Sequence, residues 1–285
     1  MTTINRIFRQ PLLRSLGGIV IVGALVLSVS IATGAAAAAD NAANSKPTIV
    51  LVHGAWADSS SWSGVSKRLQ HDGFTVLAPA NPLRSLTSDS AYISSFLAQV
   101  TGPVVLVGHS YGGMVITNAA NGQANVKALV YVSAFIPDQD DTAFGLVGKD
   151  SHIVPPGNPG ANLIARRFPP FGPTDADLYI NPENFRDIFA ADLSREKTSI
   201  MAVTQRPAAL AAFAEPSGPP AWKSIPSWAI VGGADHAVGT DAALSMAKRA
   251  AGSRVVEING ASHALMVSHP DAVTELILSA VRASN

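Results

Sequence analysis

The 285-residue chain contains no cysteine, and its 20 basic and 20 acidic residues balance to a net charge of zero. The absence of cysteine excludes disulfide bonds, thiolate metal sites and a cysteine nucleophile. A protein of this size can be stabilised by its hydrophobic core instead of disulfide bonds. Any nucleophilic chemistry must therefore come from another side chain.

Acidic residues are also absent from the first 39 residues, which contain three arginines followed by the apolar run Leu16–Ile31. A basic segment, an apolar segment and small residues before a cleavage site are typical of a secretory signal peptide. We predict cleavage between Ala39 and Asp40, with residues 1–39 as the signal peptide and residues 40–285 as the mature domain. The alternative is an uncleaved membrane anchor, since the apolar run approaches the length that spans a bilayer. We expect a secreted or periplasmic protein with no stable membrane partner after cleavage.

The predicted mature domain is 246 residues long, a suitable size for one α/β domain with its own core. It keeps 17 basic and 20 acidic residues, which gives a net charge of −3. A surface with this balance does not indicate a nucleic-acid partner.

Short β-branched runs alternate with longer segments along the mature domain. The strand candidates are Thr48–Val52, Phe74–Leu77, Val104–Val107, Ala128–Val132, Trp228–Val231 and Arg254–Ile258. The helix candidates between and after them are Ser61–His71, Ser88–Val100, Gly113–Asn121, Thr240–Ala251 and Pro270–Ala283. Nearly continuous apolar strands are typical of a parallel sheet that is covered on both faces. The alternation predicts a doubly wound, mostly parallel α/β domain with right-handed crossovers.

One long segment, residues 137–224, interrupts this alternation. It begins rich in proline, glycine and aspartate and becomes helix-like through Pro182–Ala214. Its length exceeds that of an ordinary loop, so it is either a functional insertion or disordered. Its scattered phenylalanine, leucine and isoleucine residues favour a folded, mainly helical lid over the strand ends, because disordered segments are poor in such residues.

The sequence Gly108-His-Ser-Tyr-Gly112 lies between a predicted strand and a predicted helix. A Gly-x-Ser-x-Gly motif in that setting forms a tight turn with an exposed serine hydroxyl at its apex. We therefore predict that Ser110 is a nucleophile. A serine hydroxyl is weakly nucleophilic at neutral pH and needs a base, which in turn is supported by an acid.

The base and the acid are expected in loops beyond the carboxyl ends of the strands, where the crevice of an open α/β sheet lies. His263 follows the last predicted strand and is the favoured base, whereas His269 at a helix start is more typical of a cap. Asp235 follows the Trp228–Val231 strand and is the favoured acid. Asp138, after an earlier strand, is the alternative.

Two backbone amides are expected to stabilise the oxyanion. The first is the N–H of Tyr111, directly after the nucleophile. The second is the N–H of Ala55, in the loop after the first strand, where one donor is worth about 3 kcal/mol of barrier. His53 in the same loop is interpreted as a structural hydrogen-bonding residue.

Four short motifs are distributed along nearly the whole mature domain: His53-Gly-Ala-Trp, Gly108-His-Ser-Tyr-Gly-Gly, Gly232-Gly-Ala-Asp-His and Ala261-Ser-His-Ala-Leu-Met. Together they resemble the α/β-hydrolase superfamily, and most of all small bacterial serine hydrolases related to plant methylesterases and hydroxynitrile lyases. The resemblance implies a triad of Ser110, Asp235 and His263 with oxyanion donors Ala55 and Tyr111. It also implies a sheet of the α/β-hydrolase type.

The expected function is hydrolysis of small or medium carboxylic esters through an acyl-enzyme on Ser110. Trp56 and Phe135 are expected to line the substrate pocket, although aromatic residues near strand ends are as often part of the core. Cyanohydrin cleavage or other non-ester chemistry is the alternative, and a non-catalytic binding protein is a third. The plant lyases carry a lysine and a threonine where this chain has Ala264 and Val50. We expect no cofactor and no metal, and the sequence leaves the oligomeric state open.

Overall fold

A computed structural model describes residues 46–154, 158, 160–173 and 175–284. The predicted signal peptide, residues 1–39, lies outside these residues. No helix among the described residues combines the length and the apolar character needed to cross a bilayer.

Nine strands occur in the described part of the chain: β1 (Thr48–Val52), β2 (Val76–Leu77), β3 (Val104–His109), β4 (Val126–Val132), β5 (Leu163–Arg167), β6 (Ala176–Ile180), β7 (Ala208–Ala209), β8 (Ser227–Gly232) and β9 (Val255–Ile258). Six of them form one sheet in the order β2-β1-β3-β4-β8-β9. Every neighbouring pair in this sheet is parallel. The predicted parallel α/β sheet is therefore confirmed.

Ten α-helices occur in the described residues: α1 (Ser63–His71), α2 (Leu86–Leu97), α3 (Tyr111–Ala119), α4 (Ala143–Leu146), α5 (Phe185–Phe189), α6 (Arg195–Thr204), α7 (Leu210–Ala214), α8 (Thr240–Ala251), α9 (Leu265–Ser268) and α10 (Pro270–Ala283). Short 3₁₀ helices cover Ser59–Trp62 and Ala221–Lys223. The helices α1, α2, α3, α8 and α10 correspond to the five predicted crossover segments, with boundaries shifted by a few residues.

The central strands are buried on both faces because their side chains alternate between two hydrophobic cores. In β1, Val50 and Val52 contribute to one core, and Ile49 and Leu51 to the other. The first core includes side chains of α2, α3, α8 and the 137–224 segment. The second includes side chains of α1, α9 and α10. This two-sided burial explains why the strands are continuous apolar runs in the sequence.

We call residues 137–224 the lid. It contains α4 to α7 and also a small antiparallel sheet in the order β5-β6-β7, which was not predicted. The segment predicted as helix-like, Pro182–Ala214, is divided into three helices and includes β7. The residues of β6 alternate between buried and half-buried over Ala176–Ile180. In the sequence this stretch is short and follows a region rich in glycine and proline.

Candidate active site

Ser110 lies at the apex of a tight turn between β3 and α3. Its backbone has φ 53° and ψ −126°, a conformation that non-glycine residues rarely adopt. A Cβ atom at Gly108 would lie 2.6 Å from the carbonyl oxygen of Gly112, and one at Gly112 would lie 2.5 Å from that of Val52. The turn therefore requires glycine on both sides of the serine, as the nucleophile-elbow prediction assumed.

The loop after β1 packs directly against this turn. A Cβ atom at Gly54 would lie 2.6 Å from Cβ of Ser110 and 3.2 Å from its Oγ. Among the described residues, no acceptor receives a hydrogen bond from the backbone amide of Ala55 or of Tyr111. Both amides thus remain free to donate to another group beside Ser110, which is what an oxyanion site requires.

Asp235 and His263 form a buried pair in the loops after β8 and β9. Nδ1 of His263 lies 2.9 Å from Oδ2 of Asp235, and both side chains are fully buried. The other carboxylate oxygen accepts hydrogen bonds of 2.9 Å from the amides of Ala237 and Val238. The amides hold the carboxylate in place, and the carboxylate favours the imidazole tautomer with its proton on Nδ1 and an unprotonated Nε2.

Within the described residues, Nε2 of His263 is buried and has no hydrogen-bond partner. The structure therefore joins Asp235 to His263 but forms no hydrogen bond from His263 to Ser110. Nε2 of His109, the residue before Ser110, lies 3.1 Å from the carbonyl oxygen of His263, and the two rings are 4.7 Å apart. A hydrogen bond between a predicted nucleophile and its base, here Ser110 and His263, is often long or poorly aligned without substrate and tightens only when substrate binds.

His109 was not predicted as a site residue, although it is the second residue of the Gly-x-Ser-x-Gly motif. It is fully buried, and desolvation lowers its pKa well below the usual value for histidine. A neutral ring can donate from Nε2 to the carbonyl of His263. His109 thereby links the nucleophile turn to the histidine loop.

His53 has the structural role predicted for it at the end of β1. Its Nδ1 lies 2.9 Å from the carbonyl oxygen of Gly54, and its Nε2 accepts a 3.0 Å hydrogen bond from the amide of Asn81. Burial lowers the pKa of His53 to about 4, and nearby Arg206 acts in the same direction. His53 is therefore neutral at pH 7 and fixes the loop that carries Ala55.

Trp56 and Phe135, predicted as substrate-binding residues, line an apolar pocket together with Ser110. The other lining residues come from the lid and from the loop after Asp235: Phe144, Val147, Ile153, Leu163, Phe213, Ala237 and Val238. The pocket has a free volume of about 10 Å³, barely enough for one water molecule. Its side chains must rotate before a substrate group can enter.

The lid fixes Trp56 through three contacts. Its backbone amide donates to the carbonyl of Arg206 at 2.8 Å, and its indole Nε1 donates to the carbonyl of Leu178 at 2.8 Å. Its ring stacks on Phe213 with centroids 5.4 Å apart. Trp56 also has the positive φ of 59°, so these contacts hold a strained residue next to Ala55.

The lid also fixes the histidine loop, through residues that were not predicted. Asp192 accepts hydrogen bonds from the amide of Ser262, at 3.1 Å, and from its hydroxyl. The amide of Ala264 donates to the carbonyl of Phe189 at 2.9 Å. His263 is therefore held by the lid on both sides along the chain.

The alternative residues have other partners. Asp138 lies 2.6 Å from Nζ of Lys223, and the hydrogen bond from that lysine lowers the pKa of the carboxyl group. His269 precedes α10, and its Nδ1 lies 2.9 Å from Oγ of Ser268. Neither is joined to the Asp235–His263 pair.

The fold and motifs agree with a comparison against protein families, in which the model of the alpha/beta hydrolase family matches residues 49–276. The chain belongs to the alpha/beta hydrolase family. This membership confirms the expectations of a sheet of that type and of a hydrolase.

Several relatives are esterases by name. Methylesterase 7 of Arabidopsis thaliana is 27% identical over 82% of this chain and 96% of its own length. The carbendazim hydrolyzing esterase of Nocardioides sp. (strain SG-4G) is 34% identical, but the match covers 35% of this chain and 47% of that enzyme. The crystal structure of polyneuridine aldehyde esterase superposes with a TM-score of 0.69 at 20% identity, over 82% of this chain and 99% of that one. The chain is thus related to plant methylesterases, as the motifs indicated.

Proposed function

We propose that the protein is a serine esterase that cleaves small or medium carboxylic esters through an acyl-enzyme on Ser110. The observation that carries the proposal is the buried Asp235–His263 pair. Nε2 of His263 has no hydrogen-bond partner within the described residues, and the backbone carbonyl of His263 contacts His109, the residue before Ser110. The esterase names of several relatives support the same chemistry.

In the proposed mechanism, Oγ of Ser110 attacks the ester carbonyl carbon and passes its proton to Nε2 of His263. The negative charge on the carbonyl oxygen is stabilised by the amides of Ala55 and Tyr111. The intermediate collapses when His263 protonates the alcohol oxygen, so the alcohol leaves and an acyl-serine remains. His263 then takes a proton from water, the resulting hydroxide attacks the acyl carbon, and the carboxylic acid is released as Ser110 regains its proton.

The substrate class follows from the pocket beside Ser110. All of its lining residues apart from Ser110 are apolar, so it suits an uncharged acyl or alcohol group. The small free volume favours short groups. Cyanohydrin cleavage is less well supported, because Ala264 and Val50 replace the lysine and threonine found in the plant lyases.

The decisive test compares the wild-type protein with Ser110→Ala on nitrophenyl esters, with mandelonitrile as a second substrate. Ser110→Ala should reduce kcat for ester hydrolysis by a factor of at least about 10⁴. Its circular dichroism spectrum should match that of the wild-type protein. A fluorophosphonate probe should label the wild-type protein and not the variant. Undiminished ester turnover by Ser110→Ala, or mandelonitrile cleavage that exceeds ester turnover, would contradict the proposal.

We also propose that the enzyme acts outside the cytoplasm after removal of residues 1–39. The basic, apolar and small-residue segments of the sequence support this. N-terminal sequencing of protein recovered from the periplasm or medium should begin at Asp40. Recovery of the intact chain from the membrane fraction would favour the anchor.

A further inference from the structure

A cluster of two histidines and one aspartate lies beside the predicted catalytic acid. His152 and Asp187 belong to the lid, and His236 directly follows Asp235. Nδ1 of His152 is 2.6 Å from Oδ2 of Asp187, and Nδ1 of His236 is 3.6 Å from Oδ1 of the same carboxylate. The two imidazole rings are stacked, with centroids 4.2 Å apart and an interplanar angle of 30°.

We propose that His152, Asp187 and His236 bind a divalent transition-metal ion such as Zn²⁺. Each residue offers one ligand atom, and these atoms all lie within 4.8 Å of one another. Tetrahedral ligands at about 2.1 Å from zinc are roughly 3.4 Å apart, a spacing between the two observed nitrogen–oxygen distances. Small rotations of the side chains would therefore bring the three atoms around one ion.

The chemistry of the cluster suits such an ion better than calcium or magnesium. Imidazole nitrogen is a preferred ligand of zinc, copper and nickel, whereas calcium and magnesium take oxygen ligands. All three side chains are partly exposed, at 45%, 60% and 32% for His152, Asp187 and His236. Water can thus complete the coordination.

The backbone around the cluster is already fixed. The amide of His152 donates to the carbonyl of His236 at 2.7 Å, and Oγ of Ser151 donates to the carbonyl of Ala237 at 2.6 Å. The ion would compete with two hydrogen bonds, because Nδ1 of His236 lies 3.0 Å from the backbone carbonyl of Asp187 and Nδ1 of His152 lies 2.6 Å from its carboxylate. Side-chain rotation alone is needed for binding, which keeps its entropic cost low.

A bound ion would join the lid to the loop that carries Asp235. This role is structural: the ion is not assigned a part in ester cleavage, so the proposal does not depend on the proposed function. The expected consequence is a higher temperature of unfolding when metal is present, because the ion binds only the folded arrangement.

The test uses the full-length mature protein without a histidine tag, freed of metal by chelator treatment. Titration with Co²⁺ should produce a visible absorption band that Zn²⁺ displaces, and Zn²⁺ should raise the unfolding temperature. H152Q, D187N and H236Q should each weaken Co²⁺ binding by at least about 100-fold, since loss of supporting residues alone costs 10- to 100-fold. Near-UV circular dichroism checks that each variant is folded.

His71 supplies a matched control. Its Nδ1 lies 3.3 Å from Oδ1 of Asp72, so it forms a histidine–aspartate pair without a second imidazole within the described residues. H71Q should bind Co²⁺ as tightly as the wild-type protein. Wild-type binding no tighter than that of H152Q, or binding lost equally in H71Q, would overturn the proposal and leave the cluster as a hydrogen-bonded lid contact.

Discussion

At the scale of single residues, His53 couples the loop that carries Ala55 to pH. Its two ring nitrogens are both used in the neutral form, and burial holds its pKa at about 4 against 6.5 for the free side chain. Between pH 6.5 and pH 4, His53 is protonated in the unfolded chain but remains neutral in the folded protein. The contribution of His53 to the free energy of unfolding is therefore fully present above pH 6.5 and is lost as the pH falls toward 4.

We predict that His53 alone removes about 2 kcal/mol of unfolding free energy between pH 7.5 and pH 5. Replacement by glutamine, which does not titrate, should make the pH dependence shallower by about that amount. Urea denaturation of wild-type protein and His53→Gln at both pH values measures the difference. The buried His109 acts in the same direction in both proteins, so the comparison isolates His53. Equal losses in the two proteins would refute the prediction.

At the scale of structural elements, Asp192 shows how the lid positions the histidine loop. Its side chain is 16% exposed and accepts both the amide and the hydroxyl hydrogen bonds of Ser262, the residue before His263. Removing a charged acceptor of two hydrogen bonds costs about 1.5–3 kcal/mol of interaction. Loss of these hydrogen bonds should allow the imidazole of His263 to move from its position.

We predict that Asp192→Ala lowers kcat at least about tenfold, equivalent to 1.4 kcal/mol of barrier, with a smaller change in KM. Asp192→Asn keeps an acceptor oxygen and should recover much of the rate. The matched control is Glu183→Ala, an exposed carboxylate of the lid, which should leave kcat unchanged. Steady-state kinetics on a nitrophenyl ester measure all three. A rate loss that asparagine does not restore would mean that Asp192 supports the fold alone.

The elements differ in how far the sequence predicts them. The strands of the central sheet are apolar runs because both faces are buried, so their pattern is visible locally. The pairing of Asp235 with His263 could also be predicted, since both follow neighbouring strands at one edge of the sheet. The contact of Asp192 with Ser262 spans 70 residues and could not. In sequence, Asp192 is indistinguishable from the solvated carboxylates of the lid, and only the fold brings it to the site.

At the scale of the whole molecule, the lid and the sheet domain together enclose the pocket beside Ser110. Phe144 of α4 forms part of the wall and lies 5.4 Å from the ring of Phe213, which in turn stacks on Trp56. Because the enclosed volume is so small, we expect the size of this aromatic group to limit the length of the ester chain that the pocket accepts.

We predict that the wild-type enzyme prefers acetate to hexanoate esters and that Phe144→Ala shifts the preference toward hexanoate by at least about tenfold in kcat/KM, the range expected from one or two methylene groups. Phe171→Ala, which removes a phenylalanine that is 57% exposed, should leave the preference unchanged. A panel of nitrophenyl esters from two to eight carbons measures it. An unaltered profile in Phe144→Ala would show that another wall sets chain length.

The tethers of Trp56 and of the histidine loop to the lid restrict how a molecule can reach Ser110. If the lid swung away as one rigid flap, it would pull the carbonyls of Leu178 and Arg206 from Trp56 and the carboxylate of Asp192 from Ser262. Opening of the lid as one body would therefore break the contacts that hold Trp56 and the histidine loop in place. Rotation of Phe144, a wall residue of the pocket, leaves those hydrogen bonds in place. A wider cleft of about 240 Å³ is also lined by Trp56. We therefore expect the lid to act as a fixed wall of the pocket beside Ser110, and Trp56 to keep its position while Phe144 rotates to admit a substrate.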